Sequence, residues 1–291
     1  MPRLTMTVDI LSVTLRAFAF VTLFQAGGIV LFLALQESEP RAAGPSLRRL
    51  GILAALLAAI LLIAQYLLEA ARMSGELAGM LDPTLQGLLI RSAASVSLSW
   101  QLLGLLLIAV GLMRPGSRGS TVGIIGVVIL LAPFTFVGHT STGSRRWLLS
   151  PVLLAHLSVV TFWFGALLPL YLVSLREPAD TSARIVTRFS QLAVWLVPAL
   201  FIAGITLATG LLPSLAALGR PYGLLLIAKA AGFCVLMLFA ALNKWRFGPA
   251  LRSGERAAGR RFRYSLAAEY GLIVAILIIT AVMTTFYSPE S

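Results

Sequence analysis

Cysteine occurs once in the 291 residues and histidine twice, while aspartate and glutamate together number 11. Each scarcity excludes something. A lone thiol, Cys234, can build neither a disulfide framework nor a thiolate metal cluster within one chain, and its apolar neighbours mark it as an inert core thiol. Two histidines cannot supply the four axial ligands of a transmembrane di-haem cytochrome. Charged residues make up 12% of the chain against 58% hydrophobic, about half the charge fraction of soluble domains, so a water-soluble monomer could not hide its apolar surface. Phosphate-loop, HExxH, GxSxG and CxxC signatures are missing as well, which removes the enzyme classes that depend on them.

What is present is a series of long apolar runs. A helix crosses the hydrocarbon layer with roughly 20 apolar residues, and runs of that length fall near 9–35, 49–70, 91–112, 121–138, 151–175, 188–212, 222–244 and 265–287. Prolines and glycines punctuate the breaks: Pro40 and Pro45, Pro83, Pro115 with Gly116, Pro178, Pro213, and Pro249 with Gly254. Ser150 followed by Pro151 has the pattern of an N-cap and first-turn proline, which would start the fifth helix. Met1 to Asp9 carries no small-residue cleavage site after the first run, so that run is expected to be a retained helix. The expected fold is an all-α integral membrane bundle of about eight helices. It forms a single membrane domain over 1–291, with four helices in 1–137 and four in 138–291.

The net charge of +12 does not point to nucleic acid, because the basic residues sit in short gaps between apolar runs and not on one exposed face. Topology explains them. The breaks after helices one, three, five and seven hold 15 Lys and Arg, including seven between Lys244 and Arg263, whereas the other side holds 6. Positively charged loops stay in the cytoplasm, so both termini are expected on the outer, periplasmic side, with the lipid bilayer as the main partner.

On that topology His139 ends the fourth helix and His156 lies about a turn and a half into the fifth, both in the outer layer. Neutral imidazole suits copper, zinc or haem iron. Met73 and Met283 fall on the same side, and thioether sulfur favours Cu(I), although methionine also serves as flexible packing. Ionisable groups inside a membrane are costly and mark a function or a specific pair. Arg16 follows Asp9 by seven residues on one helix face, Glu69 and Arg72 are spaced i, i+3, and Lys229 sits about two turns into the seventh helix. Glu269, early in the eighth, is expected to pair with Arg188 or Lys244. Ser92, Ser95 and Ser99, Thr206 and Thr209, and Thr280, Thr284 and Thr285 lie in outer helix halves. Each group is ordinary helix-packing surface, but together they suggest a polar cavity open to the outside.

The second half resembles the copper resistance D (CopD) family of bacterial inner-membrane proteins. The matching residues are Gly138-His139; His156 followed by Phe162-Trp163-Phe164-Gly165 and on to Pro169; Arg188-Phe189-Ser190; Tyr222-Gly223 with Lys229; Ala241-Leu242-Asn243-Lys244-Trp245-Arg246; and Glu269 with Thr284-Thr285. The resemblance covers roughly 138–287, and the first half follows only in layout, with Arg16 ahead of Gly27-Gly28. It implies copper handling without catalysis, with copper as the bound ion and a periplasmic copper-binding partner of the CopC type. Members often carry a histidine shortly after the first-helix arginine, where this chain has Ala17, Phe18, Ala19 and Phe20. The expected site is therefore His139 and His156 with Met283 or Met73, walled by Trp163 and shaped electrostatically by Lys229, Arg16 and Glu69. Two rival readings remain: a haem-binding redox protein, using the histidines as axial ligands, and a ligand-free docking subunit.

Overall fold

In the computed structural model, residues 2–36, 40–136, 145–247 and 256–288 are described. Among the described residues, eight helices are long and apolar enough to cross a membrane and no strand occurs. They are α1 (Pro2–Ala34), α2 (Gly44–Ser74), α3 (Ala93–Met113), α4 (Ser117–Leu131), α5 (Arg146–Arg176), α6 (Ala179–Leu211), α7 (Pro221–Leu242) and α8 (Arg256–Phe286). The helices alternate in direction, giving one arginine-rich end and one opposite end.

Local chemistry sets the helix limits. α2 ends at Gly75, whose φ of 77° is the left-handed C-cap that glycine adopts without strain. Asp82 caps a short helix over Pro83–Ile90 by accepting from the Thr84 and Leu85 amides, and Ser92 caps α3 by accepting from Ala94. The first turn of α2 has no cap of its own, since Ala43 stands at that position. Glu177, just beyond the end of α5, anchors the turn ahead of the helix instead: one carboxylate oxygen accepts from the Ala42 and Ala43 amides at 2.7 and 2.8 Å. Beside it Arg176 donates to Ser46.

The fifth helix differs from expectation. It begins at Arg146, so Pro151 lies inside it, and Ser150 does not cap it but donates to the Thr135 carbonyl at 2.9 Å. That bond ties α5 to the short helical turn, Pro133–Phe136, that follows α4.

Glycines bring the first helices to backbone contact. A Cβ on Gly104 would lie 2.6 Å from the Leu130 nitrogen, and one on Gly111 2.6 Å from the Gly123 nitrogen, so α3 and α4 touch main chain to main chain. α1 meets α5 in the same way: a Cβ on Gly28 would stand 2.3 Å from the Gly165 Cα and 2.3 Å from the Thr161 oxygen. One apolar core runs through both sets of four helices, with Leu23, Ile29 and Phe32 of α1, Leu47 of α2, Ile108 of α3, Leu130 of α4, Phe164 of α5 and Phe262 of α8 almost fully buried. α6 and α7 stand at the margin. α6 packs chiefly on α5 and α7 on α8, while Trp195, Ile202, Leu224 and Leu238 face outward. Across the gap between them Phe201 and Phe233 stack at 6.2 Å. Cys234, on α7, is exposed rather than in the core.

Candidate functional site

The residues singled out in the sequence fall into three places. The first is a charged network near the end of the bundle opposite the arginine-rich one, where α1, α2 and α8 meet. Arg16 donates to the Thr284 carbonyl at 2.8 Å and lies 3.6 Å from the Glu69 carboxylate. The Gln65 oxygen, in the amide orientation that satisfies both its atoms, accepts from Nε and Nη2 of Arg16 at 3.0 and 3.1 Å. Glu69 also meets Arg72 at 3.4 Å, and Arg72 reaches Asp9 at 3.9 Å. Asp9 and Arg16 share a helix face, yet each finds its closest opposite charge on α2, because seven residues of helix hold them about 10 Å apart along the axis. Met283, next to Thr284, is buried, whereas Met73, next to Arg72, is exposed. Gln65 was missed in the sequence, although its i, i+4, i+7 spacing with Glu69 and Arg72 marks one stripe.

The second place is the α5, α6, α7 corner, also nearer that opposite end. The His156 ring lies against the Leu200 backbone and Gly204 of α6 and within electrostatic reach of Lys229 of α7. Its Nδ1 is buried and has no hydrogen-bond partner. A buried polar atom left unpaired costs about 1–3 kcal/mol, so a free imidazole nitrogen in this position invites a ligand. His139, expected to complete the pair, lies outside the described residues. Among the described residues no three His, Cys, Asp or Glu side chains gather as a metal cluster.

The third place lies deeper. Trp163, one heptad beyond His156 on α5, is 5% exposed and belongs to the core. Its indole Nε1 looks towards the Glu269 carboxyl of α8 but falls short of hydrogen-bond geometry. Glu269 is 2% exposed and accepts from the Asn243 side-chain amide. The expected cationic partner is replaced by this neutral donor: no ion pair joins Glu269 to Arg188 or Lys244 among the described residues. Arg188 stands instead on the wall of a cavity of about 930 Å³ at the arginine-rich end, with Gln36, Arg184, Gln191 and Trp195.

Of the hydroxyl groups expected to line an outward polar cavity, Thr285 Oγ1 is buried without a partner, but most are otherwise engaged. Ser99, Thr206, Thr209, Thr280 and Thr284 each donate to the carbonyl four residues earlier on their own helix, the usual way such residues satisfy themselves in membrane helices.

These features define a polytopic membrane protein with polar groups buried along its second half and a charged network clamping α1, α2 and α8. Family models match along the chain: one described as copper resistance protein D over residues 183–283, and one described as its N-terminal domain over residues 6–147. The copper resistance protein D of Pseudomonas syringae pv. tomato is 30% identical over 312 aligned positions, covering 97% of this chain and 98% of that protein. The chain belongs to the copper resistance D family and is a multi-pass protein of the bacterial inner membrane with a role in copper resistance or homeostasis. No solved structure matches it.

Proposed function

We propose that this protein takes up copper ions at the periplasmic face and passes them into or across the membrane, with His156 as the first described ligand. The observation that carries this reading is the buried, unpartnered Nδ1 of His156, in the half of α5 away from the arginine-rich end. That end faces the cytoplasm by the positive-inside rule, which puts His156 and both termini on the periplasmic side. Imidazole nitrogen is a good copper ligand, and membership in a copper resistance family supplies the identity of the cargo.

One imidazole does not hold copper alone. His139 completes the donor set at His156 in this proposal, while the exposed Met73 is a first contact at the surface and the buried Met283, beside the Arg16 network, is a separate soft donor. Lys229 beside His156 disfavours a bare cation, so the ion arrives with an anionic co-ligand or beside a carboxylate of a periplasmic copper carrier of the CopC type. Trp163 closes the site below, and the Arg16 network clamps α1, α2 and α8 beside it. Copper is cargo here and undergoes no reaction on the protein.

The test is the copper content of protein purified in detergent after loading, for wild type, His139→Ala and His156→Ala, together with copper accumulation in cells. Stoichiometric copper in wild type that is lost in His156→Ala supports the assignment. Copper retained in both variants overturns it, and a Soret band in the purified protein would turn the site over to haem.

A further inference from the structure

Glu269 has no evident reason to be where it is. Its helix position, 13 residues beyond Arg256, places it about 20 Å along α8, and it is almost entirely buried. A carboxylate there needs a cation or several strong donors, since a buried charge without a partner is costly. The structure gives it one neutral amide, from Asn243, and an indole that stops short of bonding. α1 brings no titratable side chain to it, because none occurs between Arg16 and Ala34. α5 carries His156 and Tyr171, α7 carries Lys229 with Lys244 in the turn after it, and α8 itself carries Tyr270 and Arg263. None makes an ion pair with Glu269 among the described residues, and Arg263 donates to the Ser174 carbonyl at 3.3 Å.

Two further observations converge on the same spot. Asn243 opens a π-helical turn over Asn243–Phe247 at the end of α7, a local widening that often marks a functional position. In addition, the Trp163 Nε1, the Asn243 Oδ1 and the Ser265 hydroxyl, one turn before Glu269, are all buried without partners. With His156 they form a succession of unsatisfied polar atoms on α5, α7 and α8, running from the periplasmic half towards the arginine-rich end.

We propose that Glu269 is a proton-carrying group at the inner end of this polar line, and that its proton is exchanged against cargo. This rests on the copper reading above. With the line empty, the carboxyl holds a proton taken from water at the arginine-rich end. When a copper ion occupies the line, the carboxyl gives that proton back to water and its negative charge balances the ion. The copper changes neither oxidation state nor covalent partners in this step, and the proton is the only species transferred.

Infrared difference spectroscopy of the full-length protein in lipid nanodiscs tests this, with copper added to the metal-free sample and copper content measured in parallel. The expected result is a protonated-carboxyl C=O band that disappears on copper loading in wild type and is absent throughout in Glu269→Gln, which should also bind copper less tightly. His156→Ala should keep the band but lose its response to copper. Wild type that binds copper with no carboxyl change, or a copper-sensitive band that survives in Glu269→Gln, overturns the proposal and leaves the copper reading intact. Wild type that binds no copper removes both. Should Glu269→Gln fail to fold, Asn243→Ala retains the carboxyl and is expected to shift the band, and an unshifted band overturns the assignment to this pair.

Discussion

Replacing Gly28 by alanine tests how α1 and α5 are held together. The added Cβ would lie 2.3 Å from both the Gly165 Cα and the Thr161 carbonyl oxygen, whereas heavy atoms pack best at about 3.5–4.0 Å. Both obstacles are backbone, so no side chain can swing aside and the helices must part by more than an ångström. A gap of about 0.5–1 Å already forfeits a quarter to a half of the dispersion attraction across it. Overpacking costs about 1–3 kcal/mol, and rigid backbone neighbours place this site at the upper end. Alanine's better helix propensity returns about 1 kcal/mol, leaving a net loss of about 2 kcal/mol. Gly271 on α8 is the matched control, because a Cβ there meets nothing within 4 Å, and Gly271→Ala should be neutral or stabilising by up to about 1 kcal/mol. Reversible unfolding in mixed detergent micelles, followed by tryptophan fluorescence and circular dichroism, would rank the two. Equal stabilities, or a more stable Gly28→Ala, would refute the close crossing. Since α5 carries His156, the same substitution should also weaken copper loading.

Glu177→Ala should destabilise the protein by about 0.5–1.5 kcal/mol, the net worth of an intramolecular hydrogen bond, and hydrogen exchange at Ala42 and Ala43 should quicken with it; unchanged exchange there would exclude the anchor. Arg16→Met should lower the midpoint of thermal unfolding more than Glu69→Gln, because Arg16 joins α1 to both α2 and α8 while the Glu69 side chain is 30% exposed. The opposite order would show that Glu69, not Arg16, holds the network together. A nitroxide attached to Cys234 should collide more often with dissolved oxygen than with a water-soluble nickel chelate, as its exposure on α7 requires in a bilayer, and the reverse preference would place that face in water.

The spanning helices were legible because hydropathy reports the hydrocarbon layer directly. It does not report the polar turns that continue a helix beyond that layer. α6 was expected from 188 and starts at Ala179, and α8 was expected from 265 and starts at Arg256, the first extension carrying Arg184 and the second four arginines that apolar patterning passes over. Pro151 misled for a related reason: a proline near a helix start looks like its first turn, but Arg146 and Trp147 had already begun it. In the candidate site, the i, i+3 pair of Glu69 and Arg72 was visible because one helix contains both. The bond from Arg16 to Thr284 spans 268 positions, and the approach of Asn243 to Glu269 depends on a π-turn, neither of which leaves a local signal. Glu269 itself was noticed, but the neutrality of its partner follows only from the packing of α5, α7 and α8.

The anchor that Glu177 provides also bears on how the chain is made. α2 leaves the ribosome without any group to receive the Ala42 and Ala43 amides, and the residue that receives them lies 134 positions later. At a synthesis rate of ~5–20 residues per second, about 7 to 27 s separate the two. Through that interval the helix start is held by water or by the insertion machinery. The turn ahead of α2 therefore reaches its final hydrogen bonding only once the end of the fifth helix has been made.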